Sequence, residues 1–186
     1  MSLQISSLSP ETLIHTGDVQ ITVTGETGRI SLRARGKLAP LDKALGVKLP
    51  TKIGTRANKG DVEALCLGPD EWLILCPNDD VSALKAACDA IYEKLPHSFT
   101  DISAREITLS ITGPQAAELL TIGCPRDIAS IGVGEARRTV FDNASVVLWC
   151  DGPDQFRLDL WNSFAPYSAE LLITGAKEFS AETALT

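Results

Sequence analysis

Ile30-Ser31-Leu32-Arg33-Ala34-Arg35-Gly36 and Ile107-Thr108-Leu109-Ser110-Ile111-Thr112-Gly113 are one strand signature written twice, 77 positions apart. Each alternates apolar with polar residues and stops on glycine, the pattern of a strand with one buried face and a turn at its end. The match continues without a gap. Residues 30–46 lie on 107–123, and a second glycine pair, Gly46 and Gly123, keeps the same offset. Further along, Gly68-Pro69-Asp70-Glu71-Trp72 recurs as Gly152-Pro153-Asp154-Gln155-Phe156, now 84 positions apart. The seven extra residues are expected in a longer hairpin of the second copy. An internal duplication sets the architecture before any chemistry is considered.

Around these anchors the first copy reads as a strand at Ile30–Arg35 and a short helix at Ala39–Leu45 stopped by Gly46. Two strands, Val62–Leu67 and Trp72–Cys76, flank the Gly-Pro-Asp-Glu turn. A helix capped by Asp79 or Asp80 follows, with Leu84, Cys88, Ile91 and Leu95 on one face, and Ser98–Asp101 is a short linking strand. The second copy repeats the order. It has a strand at Glu106–Thr112, a helix opened by Pro114 that runs through Leu119 and Leu120, and a hairpin of Arg138–Phe141 with Ser145–Cys150. A strand at Gln155–Leu160 then leads to a helix capped by Asn162 or Ser163, with Phe164, Tyr167, Leu171, Leu172 and Phe179 on its buried side.

Two strand-helix-strand-strand-helix units predict an α+β fold of split βαβ, ferredoxin-like kind, with antiparallel sheet on one side and helices on the other. The expected layout is an N-terminal arm over 1–29, a first half over 30–99, a second half over 100–179 and a frayed tail over 180–186. Residues 30–179 are expected to form one compact domain. In the arm, Val19–Thr24 is a weak strand that could form a hairpin with the strand after it. Residues 47–60 carry Lys48, Lys52, Arg56 and Lys59 with little periodicity, and are read as a loop and contact surface.

A net charge of −7 over 186 residues argues against a nucleic-acid groove and against docking on an anionic membrane. The start of the sequence lacks a basic, apolar secretory signal, and no run reaches the ~18 apolar residues of a membrane span. Five cysteines, odd in number and never spaced Cys-x-x-Cys, fit a reduced cytoplasm better than disulfides or zinc.

Signatures of chemistry are scarce. Gly132-Val133-Gly134 begins like a dinucleotide fingerprint, but Arg137 stands where the third glycine belongs. Ser163, in Trp-Asn-Ser-Phe-Ala, is not a nucleophile elbow. His15 and His97 have no ligand at metal spacing, so no metal site and no catalytic residue are assigned. The one polar cluster lies between the halves. In an extended chain Asp101, Ser103 and Arg105 share one side and could point into a cleft; in a turn, Asp101 would instead satisfy backbone N–H groups. Phe156, Leu158 and Leu160 alternate with Arg157 and Asp159, which predicts one wet face. The first copy has Leu73 and Leu75 at the latter positions, so that strand needs cover on both faces, from the other half or from a partner subunit. Leu73, Leu75, Lys52 and Arg56 are therefore the candidate partner contacts.

Several stretches taken in order resemble the gamma subunit of heterotetrameric sarcosine oxidase. They are Leu67-Gly68-Pro69-Asp70-Glu71-Trp72-Leu73-Ile74-Leu75, Thr100-Asp101-Ile102-Ser103-Ala104-Arg105, Leu109 to Leu120, Gly123-Cys124-Pro125-Arg126-Asp127-Ile128 and Phe156 to Ala165. Residues 65–179 carry the resemblance, and the first third matches more loosely, through Arg33 and Leu49-Pro50. The resemblance implies a fold like the duplicated folate-binding domain of aminomethyltransferases. It also implies a non-catalytic accessory role in a complex that demethylates sarcosine to glycine and hydrogen peroxide and passes the one-carbon unit to tetrahydrofolate. FAD, FMN, NAD and tetrahydrofolate would then sit on larger alpha and beta subunits. The rival is a free-standing tetrahydrofolate-binding or aminomethyl-transfer protein, with Asp101, Ser103 and Arg105 as folate-site candidates. Aminomethyltransferases carry further domains after the folate-binding one, whereas this sequence stops with the second copy's helix. Specific interfaces bury about 1,200 Å² or more in total, so a subunit chain is expected to expose an apolar patch.

Overall fold

The computed structural model describes residues 7–183. In chain order the strands are β1 (Thr12–His15), β2 (Gln20–Val23), β3 (Gly28–Ala34), β4 (Arg56–Lys59), β5 (Val62–Gly68), β6 (Glu71–Cys76), β7 (His97–Asp101), β8 (Glu106–Thr112), β9 (Glu135–Phe141), β10 (Ala144–Gly152) and β11 (Gln155–Trp161). The helices are α1 (Ala39–Leu45), α2 (Val81–Asp89), α3 (Ala116–Leu120) and α4 (Ala165–Thr183). The chain divides into two units, Glu26–Ser103 and Met1–Gly25 with Ala104–Thr186.

Within Glu26–Ser103 the sheet order is β4-β5-β6-β3-β7, every pair antiparallel. Ile30, Leu32, Trp72, Ile74 and Cys76 point to one face and form a core with Leu41 and Leu45 of α1 and Val81 and Cys88 of α2. This is the split βαβ plan read from the sequence, with β4 added at the edge. The 47–60 segment is thus not all loop: Arg56–Lys59 pairs with Val62–Leu65. Its Arg-Ala-Asn-Lys sequence has no apolar alternation because an edge strand needs little burial. Trp72 is buried, and its Nε1 donates to the Pro50 carbonyl at 2.7 Å, so the indole is a packing residue under the 47–50 segment.

The other unit has sheet order β1-β2-β8-β11-β10-β9, again antiparallel. Ile107, Leu109, Ile111, Leu148, Phe156, Leu158 and Leu160 meet Leu119 and Leu120 of α3 and Ala165, Ala169, Leu172 and Ala176 of α4. Of the expected arm, residues 12–23 are a sheet component, and residues 1–6 lie outside the described residues. β1 and β2 form a hairpin, and β2 lies on β8, with Ile21 opposite Ile111 and Val23 opposite Leu109. The strand that follows, β3, lies in the other unit's sheet, so the expected hairpin with it does not form.

β2 and β7 begin 77 residues apart, the offset of the repeat itself (97 − 20). Each occupies the same place, beside the first signature strand of the opposite copy. The two copies therefore exchange their leading strands, and the sheet boundaries fall at 25/26 and 103/104. The longer hairpin of the second copy is present: β9 and β10 have seven and nine residues where β4 and β5 have four and seven.

The repeated glycines have a steric cause. Gly36 and Gly113 both take positive φ, 99° and 123°, where a side chain is strained. A Cβ on Gly113 would also lie 2.2 Å from the Asp18 carbonyl oxygen. Both Gly-Pro-Asp turns are tied to the end of the first strand, through Ala34 N–H to the Asp70 carbonyl at 3.1 Å and Gly113 N–H to the Asp154 carbonyl at 3.0 Å.

α4 keeps part of its predicted phase: Leu171, Leu172 and Phe179 meet the core, but Phe164 and Tyr167 do not. Its buried stripe is Ala165, Ser168, Ala169, Leu172, Gly175 and Ala176, while Phe164 and Tyr167 are 38% and 51% exposed. The buried residues are small because the helix approaches α3 closely; a Cβ on Gly175 would meet Leu119 Cδ1 at 2.8 Å. A 3-10 turn over Asn162–Phe164 precedes the helix, and no side-chain hydrogen bond caps that turn. The α2 start likewise lacks a side-chain cap from Asp80. Residues 180–183, expected as a frayed tail, continue α4, and 184–186 lie outside the described residues.

Candidate functional site

Asp101 and Ser103 are brought together by a turn, not by an extended strand. β7 ends at Asp101, and Ser103–Arg105 forms a 3-10 turn. The Asp101 Oδ1 accepts from the Ser103 N–H at 2.9 Å and from its hydroxyl at 2.6 Å, and the Ser103 Oγ accepts from the Arg29 N–H at 2.9 Å. These bonds satisfy the backbone where the chain leaves the sheet. Arg105 does not join them. Its guanidinium donates to the Glu106 carboxylate at 2.6 and 3.2 Å and lies 5.4 Å from the Trp161 ring centroid.

The four candidate contact residues separate in the same way. Leu73 and Leu75 are 3% and 6% exposed, so they are buried within this chain and have almost no area to give a partner. Arg56 pairs across β4 and β5 with Glu63 at 3.2 Å and is largely covered. Lys52 is exposed beside Ile53, itself 52% exposed.

The face expected to be wet is instead a buried polar set that periodicity did not reveal. Asp159 is 1% exposed. One carboxylate oxygen accepts from the Trp149 Nε1 at 2.7 Å and the other from the Thr108 hydroxyl. Arg157 grips Asp151 with two bonds of 2.6 and 3.0 Å and stacks 4.5 Å from the Trp149 ring centroid. A charge this deep is tolerable only with donors on it. With both oxygens engaged, Asp159 is a structural acceptor and not a free base. The signal was present in the sequence: Trp149, Arg157 and Asp159 stand where the first copy has Leu65, Leu73 and Leu75.

The thiols lie inside the protein. All five cysteines are free and buried. Burial pushes the Cys66 thiol up and, with Asp80 and Asp101 adding to it, the Cys76 thiol to about 11. Burial, with a smaller push from Asp89, takes Cys88 to about 11 as well. Such thiols carry almost no thiolate at neutral pH. The His97 Nδ1 lies 2.7 Å from the Leu95 carbonyl, and its ring meets Tyr92 edge-on. Among the described residues no group of three His, Cys, Asp or Glu side chains could hold a metal ion, and no helix is long and apolar enough to cross a membrane.

Residues 34–178 match the protein-family model described as the sarcosine oxidase, gamma subunit family. The chain is 32% identical over 174 residues to the sarcosine oxidase subunit gamma of Corynebacterium sp. (strain P-1), covering 89% of this chain and 84% of the relative. Among solved structures it is similar to a chain of the heterotetrameric sarcosine oxidase from Corynebacterium sp. U-96 in complex with pyrrole 2-carboxylate. There the TM-score is 0.79 at 30% identity, over 91% of this chain and 89% of that one. The glycine cleavage system aminomethyltransferase T from Bartonella henselae shares the fold, with TM-score 0.62 at 15% identity over 84% of this chain and 46% of that one. The duplicated, strand-exchanged α+β chain belongs to the sarcosine oxidase gamma subunit family.

Proposed function

We propose that this chain is the non-catalytic accessory gamma subunit of a heterotetrameric sarcosine oxidase. That enzyme oxidatively demethylates sarcosine to glycine and hydrogen peroxide and yields a tetrahydrofolate-bound one-carbon unit. The observation that carries the reading is the family match over residues 34–178, together with likeness over nine-tenths of the chain to one chain of a solved heterotetramer. The chemistry of the side chains supports it. The thiols are buried, with Cys66, Cys76 and Cys88 raised, Asp159 has a donor on each oxygen, and Asp101 and Ser103 spend their bonds on a backbone turn.

On this reading FAD, FMN, NAD and tetrahydrofolate belong to the larger alpha and beta subunits, the assembly works in the cytoplasm, and this chain contributes packing rather than a reacting group. The free-standing folate-protein reading is not favoured, because the likeness to aminomethyltransferase T, at 15% identity, is one of fold alone. The test is co-expression of the candidate alpha and beta chains with and without this one. Loss of assembled, sarcosine-oxidising enzyme on omission is expected. Full turnover without it overturns the reading.

A further inference from the structure

Four of the eight large apolar side chains that stand exposed among the described residues gather at one end of the six-stranded sheet: Val140, Trp161, Phe164 and Tyr167. Register puts them there. Ser145 pairs with Val140, and Val146 pairs with Leu160, so Ser145 separates Val140 from Trp161 in one row across β9, β10 and β11. Phe141 and Leu160 point into the helix-side core, so Val140 and Trp161 share the opposite face. Two strand spacings place them about 10 Å apart. Phe164 follows in the 3-10 turn, and the Tyr167 hydroxyl donates to Asp142 Oδ2 at 2.6 Å, fixing the first turn of α4 to the β9–β10 turn. Arg105, over the Trp161 ring, holds the indole in place.

At 45%, 51%, 38% and 41% exposure, Trp161, Tyr167, Phe164 and Val140 together present roughly 350 Å² of apolar or aromatic surface. That falls within the roughly 300–600 Å² of the largest patch on a typical monomer, a patch that is often functional, and is nearly half of the ~800 Å² each partner gives to a standard interface. Trp, Tyr and Arg are also the side chains that concentrate binding energy. The charged groups around it have both signs: Asp142 and Glu170 flank the patch, and Arg105 and Arg138 stand beside Trp161 and Val140, all four exposed. The acidic excess belongs to the segments that carry the patch. The segments 1–25 and 104–186 carry six Lys and Arg against 13 Asp and Glu, whereas 26–103 is neutral, with 11 of each.

We infer that this aromatic end of the sheet is the docking surface for a larger subunit of the oxidase, one that presents apolar side chains rimmed by Lys and Arg. The inference rests on the subunit reading above and moves the contact from the Leu73/Leu75 face and the 47–60 segment to Val140, Trp161, Phe164 and Tyr167. Lys and Arg on the partner, meeting the net negative charge of segments 1–25 and 104–186, steer association, while the aromatic centre sets its lifetime.

The test uses the intact assembly. Tagged chain is co-expressed with the larger subunits as wild type, as Trp161→Ala/Tyr167→Ala, and as Lys52→Ala/Ile53→Ala, and affinity for the larger subunits is measured. Hydroxyl-radical oxidation of Trp161 is followed in the free chain and in the wild-type complex. The inference expects binding weakened about 30-fold or more by the aromatic pair, less than twofold by the Lys52/Ile53 pair, and Trp161 protected in the complex. Protection of wild-type Trp161 needs no variant to fold and so stands as the independent readout. If wild type itself fails to bind, the subunit reading falls. If wild type binds while Trp161 oxidises as fast as in the free chain, the docking surface is overturned and the subunit reading survives. Self-association of the isolated chain broken by the aromatic pair would overturn the choice of partner.

Discussion

The Trp149 Nε1 donates to Asp159 Oδ2 at 2.7 Å, and neither side chain is more than 1% exposed. Where the second copy has this diagonal pair on neighbouring strands, the first has Leu65 and Leu75. One architecture thus accepts either a buried hydrogen-bonded pair or an apolar one. Removing one partner leaves the other unsatisfied, so Asp159→Ala should lower stability by about 2–4 kcal/mol in urea denaturation. Trp149→Leu/Asp159→Leu, which installs the first copy's pair, should cost at least ~1 kcal/mol less than the sum of the single changes. Additive losses would show that the two residues act independently.

The N-terminal hairpin completes the second sheet. Ile21 is fully buried against β8, so Ile21→Ala should destabilise by about 2–4 kcal/mol. Hydrogen exchange localises the effect. Amides of Leu109 and Ile111 should lose protection while those of Ile30 and Leu32, in the other sheet, keep theirs. Equal loss in both sheets would contradict the exchanged-strand arrangement.

Cysteine chemistry has a definite pH dependence. With Cys76 and Cys88 near 11, only about one thiol in a thousand is ionised at pH 8. Ellman's reagent should find both unreactive in native protein at pH 8 and reactive at once in 6 M guanidinium. Rapid modification of native protein at pH 7 would show an open, functional thiol.

Asp70 titrates in the opposite sense. The Arg35 Nε bond at 2.8 Å, aided by the charges of Arg35 and Arg33, holds its carboxyl below the usual aspartate range. A depressed carboxyl contributes stability that is present above its unfolded pKa, near 3.9, and is lost as pH falls through the lower folded value. An NMR titration should place Asp70 below an ordinary aspartate in wild type and raise it most of the way back in Arg35→Ala, where Arg33 still pairs with it. An unchanged Asp70 in that variant would mean Arg35 is not the cause.

Local signals in the sequence carried far. α1 at Ala39–Leu45 and β8 at Glu106–Thr112 lie where glycine and strand alternation put them, whereas α3 starts at Ala116, after the Pro114 expected to open it. The missing pieces are non-local. Which strand β2 joins depends on a partner 90 residues on (111 against 21), and nothing within Gln20–Val23 encodes it. Arg56–Lys59 is a strand because β5 offers an open edge, not because its side chains alternate. Asp159 reads as exposed until Trp149 and Thr108 are seen to supply its donors. α4 misleads for a related reason. Its buried stripe is mostly small residues around Leu172, so Leu171, Leu172 and Phe179 meet the core as read while the larger Phe164 and Tyr167 are left in the open.

Native mass spectrometry of the enzyme, purified through a tag on this chain from cells that also make the larger subunits, tests the account most directly. The account predicts one stoichiometric assembly in which this chain accompanies larger, flavin-bearing polypeptides that oxidise sarcosine. Recovery of this chain alone, beside a fully active assembly that lacks it, would contradict it.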